Sequence, residues 1–464
     1  MLDKVRQTIA QYGLLAPGDR VLVAFSGGPD STALLHCLTQ LRNEYGLRLE
    51  AVYINHGLRE KAAEEEAFCR AFCKKLGVDF YPEVLDVPAR AKKQHESIEL
   101  AARRGRYEIL NRLANELNCD RIAVGHHRDD QVETVLHRII RGAGIDGLAG
   151  MPIKRGKIIR PLLAISRQEI LDYLKKQKLK YCLDESNEQN DYTRNYLRNH
   201  LLPLLRTEMN PGIDRALWNL SRTAGEDAAL LTEIVAREVR KSTNRTPGGK
   251  IEVDLRRFRS YAPSLRWRIL RFCLSEELGL RPAVDRVVVE RCDKLALNGG
   301  KAVALPDSVQ ARLVADKLVL YRPLKGRYEE SLEIGGRCRI GRPAYNFRCR
   351  RRPADEAAVQ YQRRSQRVRL DGNRVKPPLT VRNIGPGDCF GPLGLKGTRT
   401  VSDWLTDKKV AALYRDEIPV VCDRKGIIWL VGYEIADRVK VDENTEEVIE
   451  IEFTHRRHRP QAKG

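Results

Sequence analysis

The sequence predicts an α/β protein: a parallel-sheet domain, then a mostly helical domain, then a small C-terminal α/β domain. Three observations carry this. Short β-rich runs alternate with helix-length segments through residues 1–211, the pattern of βαβ units around a parallel sheet. The first run ends in a glycine-rich turn that opens a helix, Ser26-Gly27-Gly28-Pro29-Asp30-Ser31. After Pro203 the alternation stops and long helical stretches take over.

Each element has its own reason. Residues 20–26 (RVLVAFS) are short, apolar and β-branched, and Leu34, Leu35, Leu38 and Leu41 then recur at helical spacing. Residues 47–55 form a second strand, and 61–76 a helix with Ala62, Ala63, Phe68, Phe72 and Leu76 inward. Residues 78–87 are a third strand, which Pro82 places at an edge or a bulge. A long helix over 97–118 buries Ile98, Ala101, Ile109, Leu113 and Leu117. Residues 121–126 give a fourth strand, 129–141 a helix and 157–163 a fifth strand. Beyond Pro203, residues 213–241 and 263–298 read as helices, with a turn at 244–249 and a few short strands to about Tyr321. The expected division is a catalytic domain over 1–211, a mostly helical domain over 212–325, a basic linker over 326–377 and a C-terminal module over 378–464. Within the linker, ten Lys and Arg stand against three acids over 345–376, and the C-terminal tail is basic as well.

Composition narrows the function. With 83 Lys and Arg against 62 Asp and Glu, the net charge of +21 asks for a polyanionic partner, nucleic acid first. No apolar run approaches the ~18 residues of a membrane span, so no membrane partner is expected. The amphipathic N-terminus carries Asp3 and lacks the features of a secretory signal. Eleven cysteines are scattered from Cys37 to Cys422 without a CxxC pair, which argues against a zinc ribbon or a thioredoxin-type site. They read as buried reduced thiols of a cytoplasmic protein, Cys69 and Cys73 sharing one helix face.

The chemistry starts at the glycine-rich turn. Gly27 and Gly28 let the backbone approach an anion, and the amides of the following helix start point at it. Ser26 and Ser31 add hydroxyl donors, and Pro29 belongs to the same nucleotide-binding turn. Asp30 would repel a bare phosphate, so its presence implies Mg²⁺ between carboxylate and phosphate. No GxxxxGK[ST] occurs, so this is not a Walker-A site. The bland alternative is a Gly-Pro turn capped by Asp30 or Ser31.

Ser26–Ser31 resembles the PP-loop of the ATP pyrophosphatases, which cleave ATP to AMP and pyrophosphate while activating a substrate oxygen as an adenylate. The rest of the chain is similar to bacterial tRNA(Ile)-lysidine synthetases. The segments that carry this are Asn55-His56-Gly57-Leu58-Arg59, residues 101–107 (AARRGRY) and residues 125–134 (GHHRDDQVET). Residues 160–163 (RPLL), 184–187 (DESN) and 192–198 (YTRNYLR) follow, with Pro386-Gly387-Asp388 and residues 415–421 (RDEIPVV) near the C-terminus. The likeness covers nearly the whole chain and is weakest across about 240–375.

The resemblance implies a Rossmann-like PP-loop domain and one reaction. The wobble cytidine of a CAU-anticodon tRNA(Ile) is adenylated on its C2 oxygen by ATP, and free L-lysine then displaces AMP. It also implies ATP at the turn; Asn55 and His56, at the carboxyl end of the second strand beside it, read as adenosine or ribose contacts, or His56 as a loop histidine capping a turn. A catalytic arginine is implied at Arg106, and substrate contacts at Arg194, Asn195 and Arg198. Read from the residues themselves, Arg103 and Arg106 share one helix face, and so do Asp130, Glu133, Thr134 and His137. Arg103 and Glu133 are taken as substrate or tRNA contacts. His126 and Asp130 can meet at a helix start, where Asp130 binds Mg²⁺, holds the lysine ammonium or relays its proton. Those three roles stay open, and so do the simpler readings of Asp129 and Asp130 as helix N-terminal charges and of His126, Asp130 and His137 as a zinc set. Arg350, Arg351 and Arg352, with the terminal module, should meet tRNA phosphates. The N-terminal helix packs on its own domain or on a twin subunit, and a homodimer is the expectation.

Three other readings compete. A tRNA-thiolating PP-loop enzyme normally needs paired cysteines or an iron–sulfur site, and the cysteines here stand apart from the motif segments. An amidating ATP pyrophosphatase would bring a glutaminase domain. A non-catalytic tRNA-binding protein would not keep both the turn and residues 126–130 (HHRDD) intact.

Overall fold

The computed structural model describes residues 1–57, 62–182, 193–280, 284–324, 326–341, 345–354, 366–395 and 397–455. It divides into two compact units, the first spanning Met1–Thr232 and the second starting at Glu233.

Unit one runs α1 (Leu2–Tyr12), β1 (Arg20–Ala24), α2 (Pro29–Gln40), α3 (Arg42–Tyr45), β2 (Arg48–Asn55), α4 (Ala62–Leu76) and β3 (Asp79–Val84). Then come α5 (Val87–Gln94), α6 (Ile98–Glu116), β4 (Arg121–Ala123), α7 (Arg128–Ile140), α8 (Ile145–Leu148), β5 (Lys154–Arg155), β6 (Ile158–Ile159) and α9 (Arg167–Lys176). The sheet order is β3-β2-β1-β4-β6-β5, parallel except for the β5–β6 pair. The alternation of β1 explains both layers. Val21 and Val23 point into a core with Val5 and Ile9 of α1, Leu34 and Leu38 of α2 and Ile170 of α9. Leu22 points the other way, onto Leu110 and Leu113 of α6. Full burial of each such side chain contributes about 1.5–3 kcal/mol. Pro82 lies in the edge strand β3, where a missing N–H costs least. The fifth strand is shorter than its sequence implies: Arg160 turns to donate to the Pro152 carbonyl at 2.7 Å, and Pro161 has no amide for the ladder. Short helices α10 (Thr193–Tyr196) and α11 (Leu202–Leu204) alternate with π turns, and α12 (Ile213–Ser242) carries the boundary between the units.

Unit two departs from the sequence reading in two places. The stretch 263–298 is not one helix: α13 (Leu255–Ser260) precedes α14 (Pro263–Phe272), a π turn follows over Cys273–Glu277, and α15 (Arg286–Asn298) begins where Asp285 caps the Val288 amide. These helices pack on a five-stranded antiparallel sheet ordered β7-β8-β11-β10-β9, made of β7 (Thr243–Arg245), β8 (Ile251–Asp254), β9 (Val303–Ala304), β10 (Gln310–Val314) and β11 (Lys317–Tyr321). The second departure is the basic stretch. After β12 (Glu329–Ser331) and β13 (Arg337–Ile340), the segments β14 (Tyr345–Pro353) and β15 (Arg367–Asp371) are strands. Tyr345, Phe347 and Cys349 alternate with polar residues and go inward, a period of two that the charge conceals in the sequence. The unit ends in β16 (Thr380–Asn383), β17 (Cys389–Phe390), β18 (Arg399–Thr400), α16 (Val401–Asp407), α17 (Ala412–Arg415), β19 (Pro419–Asp423), β20 (Gly426–Leu430), β21 (Glu434–Ile435) and β22 (Glu447–His455). Two sheets, β12-β16-β19-β20-β21 and β13-β14-β22-β15, share one apolar core, so the C-terminal part is β-rich. No helix among the described residues is long and apolar enough to cross a membrane.

Candidate functional site

In unit one the strand order reverses at β1, which is flanked by β2 and β4. Ligands of open parallel sheets bind beyond the strand ends at such a point. A cleft of about 370 Å³ opens there, lined by Ser26, Gly28, Asp30, Ser31, Arg106 and Asp130 among others. The turn after β1 is held in shape by its own side chains. The Ser31 hydroxyl donates to the Gly28 carbonyl at 3.0 Å and accepts the Ser26 amide at 3.2 Å, and Thr32 Oγ1 donates to the Gly27 carbonyl at 3.1 Å. Gly27 has φ +77°, and a Cβ there would lie 3.1 Å from Cys69 Sγ and 3.2 Å from Cys182 Sγ. Only glycine meets both conditions. A Cβ on Gly125, after β4, would lie 3.3 Å from the start of α2 at Asp30 C and Ser31 N, so the two strand ends approach closely.

At and beside the turn, three helix starts gather charge. Asp30 opens α2, Asp129 and Asp130 open α7, and Arg167 opens α9. His127 stands among the acids: Nδ1 is 3.5 Å from Asp129 Oδ2, and Nε2 is 3.5 Å from Asp130 Oδ2 and 3.8 Å from Asp30 Oδ1. Burial opposes its charged form, but the nearby carboxylates of Asp129, Asp130 and Asp30 outweigh this, so its pKa is raised. Burial likewise pushes Asp129 upward, and His127 with the Arg167 backbone N–H overcomes it, holding that carboxyl at about 2. Asp130 Oδ2 accepts the His127 amide at 3.0 Å, while Oδ1 lies 3.5 Å from Arg198 Nη2. Glu133, one turn along, receives Arg198 Nε at 2.5 Å. Arg106 reaches the solvent of the cleft, yet desolvation by its walls, with Arg103 nearby, lowers its pKa from the ordinary arginine value.

Residues 1–205 match the PP-loop domain family, and residues 379–452 match the family described as the TilS substrate C-terminal domain. A tRNA(Ile)-lysidine synthase of Clostridium tetani is 33% identical over 98% of both chains. The chain belongs to the tRNA(Ile)-lysidine synthase family. A second tRNA(Ile)-lysidine synthase, from Caldanaerobacter subterraneus subsp. tengcongensis, is 32% identical over 98% of each chain. A bifunctional TilS/HprT protein of Listeria monocytogenes is 32% identical over 92% of this chain and 67% of its own length. Membership brings ATP use with it.

Set against this lysidine-synthase framework, the residues singled out in the sequence fall into groups. Ser26, Gly28, Asp30, Ser31, Asn55, His56, Arg106, His126 and Asp130 line the cleft, and Gly27 and Pro29 shape its turn. Asn55 also accepts the Gly57 amide at 2.9 Å, a turn-capping role. Arg103 and Glu133 line an adjoining recess with Ser97, Thr134, His137 and Arg141. Asn195 is half-buried on α10, while the Arg194 side chain and residues 184–187 lie outside what is described. His127 and Arg167 were missed by sequence reasoning. The signal for Arg167 was a cation directly after Ser166, in a Ser166/Glu169 capping box. One expectation is corrected: the cysteines are not all remote, since Cys182 lines the cleft and Cys69 packs against Gly27. They remain free thiols, and burial pushes the pKa of Cys69 and of Cys182 upward.

Mg²⁺ takes oxygen ligands and is commonly held by one or two carboxylates plus substrate phosphates. Asp30 and Asp130, both facing the cleft and both beside the same His127 nitrogen, fit that donor set. Among the described residues no group of three or more His, Cys, Asp or Glu is arranged for a metal, so the zinc set of His126, Asp130 and His137 gains no support.

Unit two presents a second charged feature. On the outer face of β13, β14, β22 and β15 stand Arg337, Arg339, Arg348, Arg350, Arg352, Arg367 and Arg369. The acids of that face are Glu450, Glu452 and, at the strand end, Asp371. Buried Glu450 lies 3.3 Å from both Arg352 and Arg369. Arg351 is out of phase with this face and pairs with Glu447 at 2.9 Å. The segment 415–421 has a structural use here: Asp416 and Glu417 enclose buried Lys250 at 2.9 and 2.7 Å.

Proposed function

We propose that the chain ligates free L-lysine to C2 of the wobble cytidine in CAU-anticodon tRNA(Ile), consuming ATP and releasing AMP and pyrophosphate. The observation that carries this is the shared cleft, which the nucleotide turn, Asp130 and Arg106 line together. In the first step the C2 oxygen of cytidine attacks the α-phosphorus and the bond to pyrophosphate breaks. The amides and hydroxyls of residues 26–31 hold the phosphates, and Arg106 balances charge building on the α-phosphate. Bound Mg²⁺ would add charge neutralisation on the phosphates, held by Asp30 and Asp130.

In the second step the lysine amine attacks C2, the C2–O bond breaks and AMP leaves. That amine carries a proton at neutral pH, with a reference pKa of ~10.4, so a proton must go first. Asp130 supplies the negative charge that receives the ammonium, Arg198 bridges it to buried Glu133, and Asp130 with His126 or His127 passes the proton outward. The product pairs with adenosine, so codon reading changes from AUG to AUA. The arginine face of unit two holds tRNA phosphates, which gives affinity rather than sequence choice.

The test uses unmodified CAU-anticodon tRNA(Ile), ATP, Mg²⁺ and labelled lysine. Lysine-dependent AMP release with label in the anticodon fragment is expected. AMP release without lysine incorporation would point to another nucleophile, sulfur first, and no AMP would leave a tRNA-binding protein.

A further inference from the structure

Arg167 occupies a place that neither helix it touches explains. It is the first residue of α9, and its guanidinium pairs with Asp30, in the first turn of α2. A cation in a first helical turn faces the positive end of the macrodipole, so α9 disfavours it. The start of α9 is already secured. Ser166 and Glu169 form a capping box, Lys4 balances Glu169 at 2.5 Å, and Asp129 takes the Arg167 amide at 2.9 Å. Asp30 does not need the arginine for its helix either, because a carboxylate suits the start of α2.

The pair therefore concerns the site. Asp30 Oδ1 meets two basic groups, the Arg167 guanidinium and the His127 ring. They differ in freedom. The His127 side chain is 6% exposed and fixed by Asp129 and Asp130, whereas Arg167 is 39% exposed and hangs on a long flexible stem. Arg167 is the one that can leave without disturbing the turn.

We propose that Arg167 is the resting counter-ion of Asp30, released when the Mg²⁺-bearing nucleotide binds. It is thus a positioning residue that sets the Mg²⁺ concentration at which the site fills. The inference rests on residues 26–31 binding nucleotide. Arg167 keeps the carboxylate from meeting its neighbours bare while the cleft is empty, and it competes with Mg²⁺ for the same oxygen.

The experiment titrates Mg²⁺ into full-length wild type, Arg167→Gln and Arg167→Lys at a fixed concentration of a fluorescent ATP analogue. Anisotropy is followed with tRNA and lysine left out, so turnover plays no part. The Mg²⁺ midpoint of Arg167→Gln should fall about two- to fivefold, the scale of one half-exposed charge pair. Arg167→Lys, which keeps the charge but not the fork, should lie between, and it carries the test if the glutamine variant does not fold. An unchanged midpoint makes Arg167 a bystander and overturns the inference. A raised midpoint overturns it too, because Arg167 would then be holding phosphate. Wild type that binds no analogue at any Mg²⁺ concentration overturns the nucleotide site itself, which separates the two failures.

Discussion

Arg198 closes over Glu133 with both ends of its fork, Nε to Oε1 at 2.5 Å and Nη2 to Oε2 at 3.1 Å. The carboxylate is almost fully buried, at 1% exposure, and the arginine covers both of its oxygens. Removing the arginine leaves a buried anion. Arg198→Ala should destabilise unit one by about 2 kcal/mol, less than the ~3–5 kcal/mol of a fully buried pair because the arginine is itself 38% exposed. Urea unfolding checks this. Arg198→Ala with Glu133→Gln should recover most of the loss, whereas additive losses would mean the two residues act separately.

Asp30 and Asp130 both line the cleft beside His127 Nε2, and neither fills a core position. Asp30→Ala and Asp130→Ala should each abolish AMP release while leaving tRNA affinity nearly intact. Parallel AMP-release and filter-binding assays check this. A loss of tRNA binding on the scale of the lost activity would make the two carboxylates structural instead.

Much of unit one was legible in the sequence because it is a parallel sheet with both faces covered. Val21-Leu22-Val23 is apolar throughout, and Leu34 to Leu41 keep a helical period, so no tertiary contact had to be guessed. The nucleotide turn was equally plain, since Gly27 sits where only glycine fits. Three things were hidden. Arg167 reaches Asp30 across 137 positions, and nothing local to Ser166–Glu169 announces that partner. His126 and His127 are adjacent and chemically identical, so only the fold decides which one enters the acid cluster. In β14 the inward residues Tyr345, Phe347 and Cys349 are outnumbered by charge, and a period-two strand passed for a linker.

The capping box of α9 gives a pH dependence with a defined sign. Burial opposes the charged Glu169, but Lys4 and the Ser166 amide and hydroxyl prevail and hold its pKa at about 2, below the ordinary 4.5. A depressed carboxyl contributes stability that is complete above about 4.5 and is lost as pH falls toward 2. Glu169→Gln should cost about 1 kcal/mol at neutral pH. The gap to wild type should stay flat from pH 8 to pH 6 and narrow below about 4.5. Denaturant melts across that range check it, and a gap that widens in acid would mean Glu169 is not the charged partner of Lys4.

The outer face of β14 makes a prediction that depends on strand phase. Arg350 and Arg352 share a face with Arg348, while Arg351 points the other way and is already paired with Glu447. A merely solvated basic segment would make the three positions equivalent. If the face grips RNA phosphates, Arg350→Glu with Arg352→Glu should weaken tRNA binding at low salt and reduce the slope of log affinity against log salt by about 1 per lost contact. Arg351→Glu should change both far less. The comparison holds total charge nearly constant when Arg351→Glu is combined with one remote arginine reversal, so a general loss of net charge cannot imitate it. Equal slopes for the two double variants would remove this face from the tRNA interface and return the affinity to unit one.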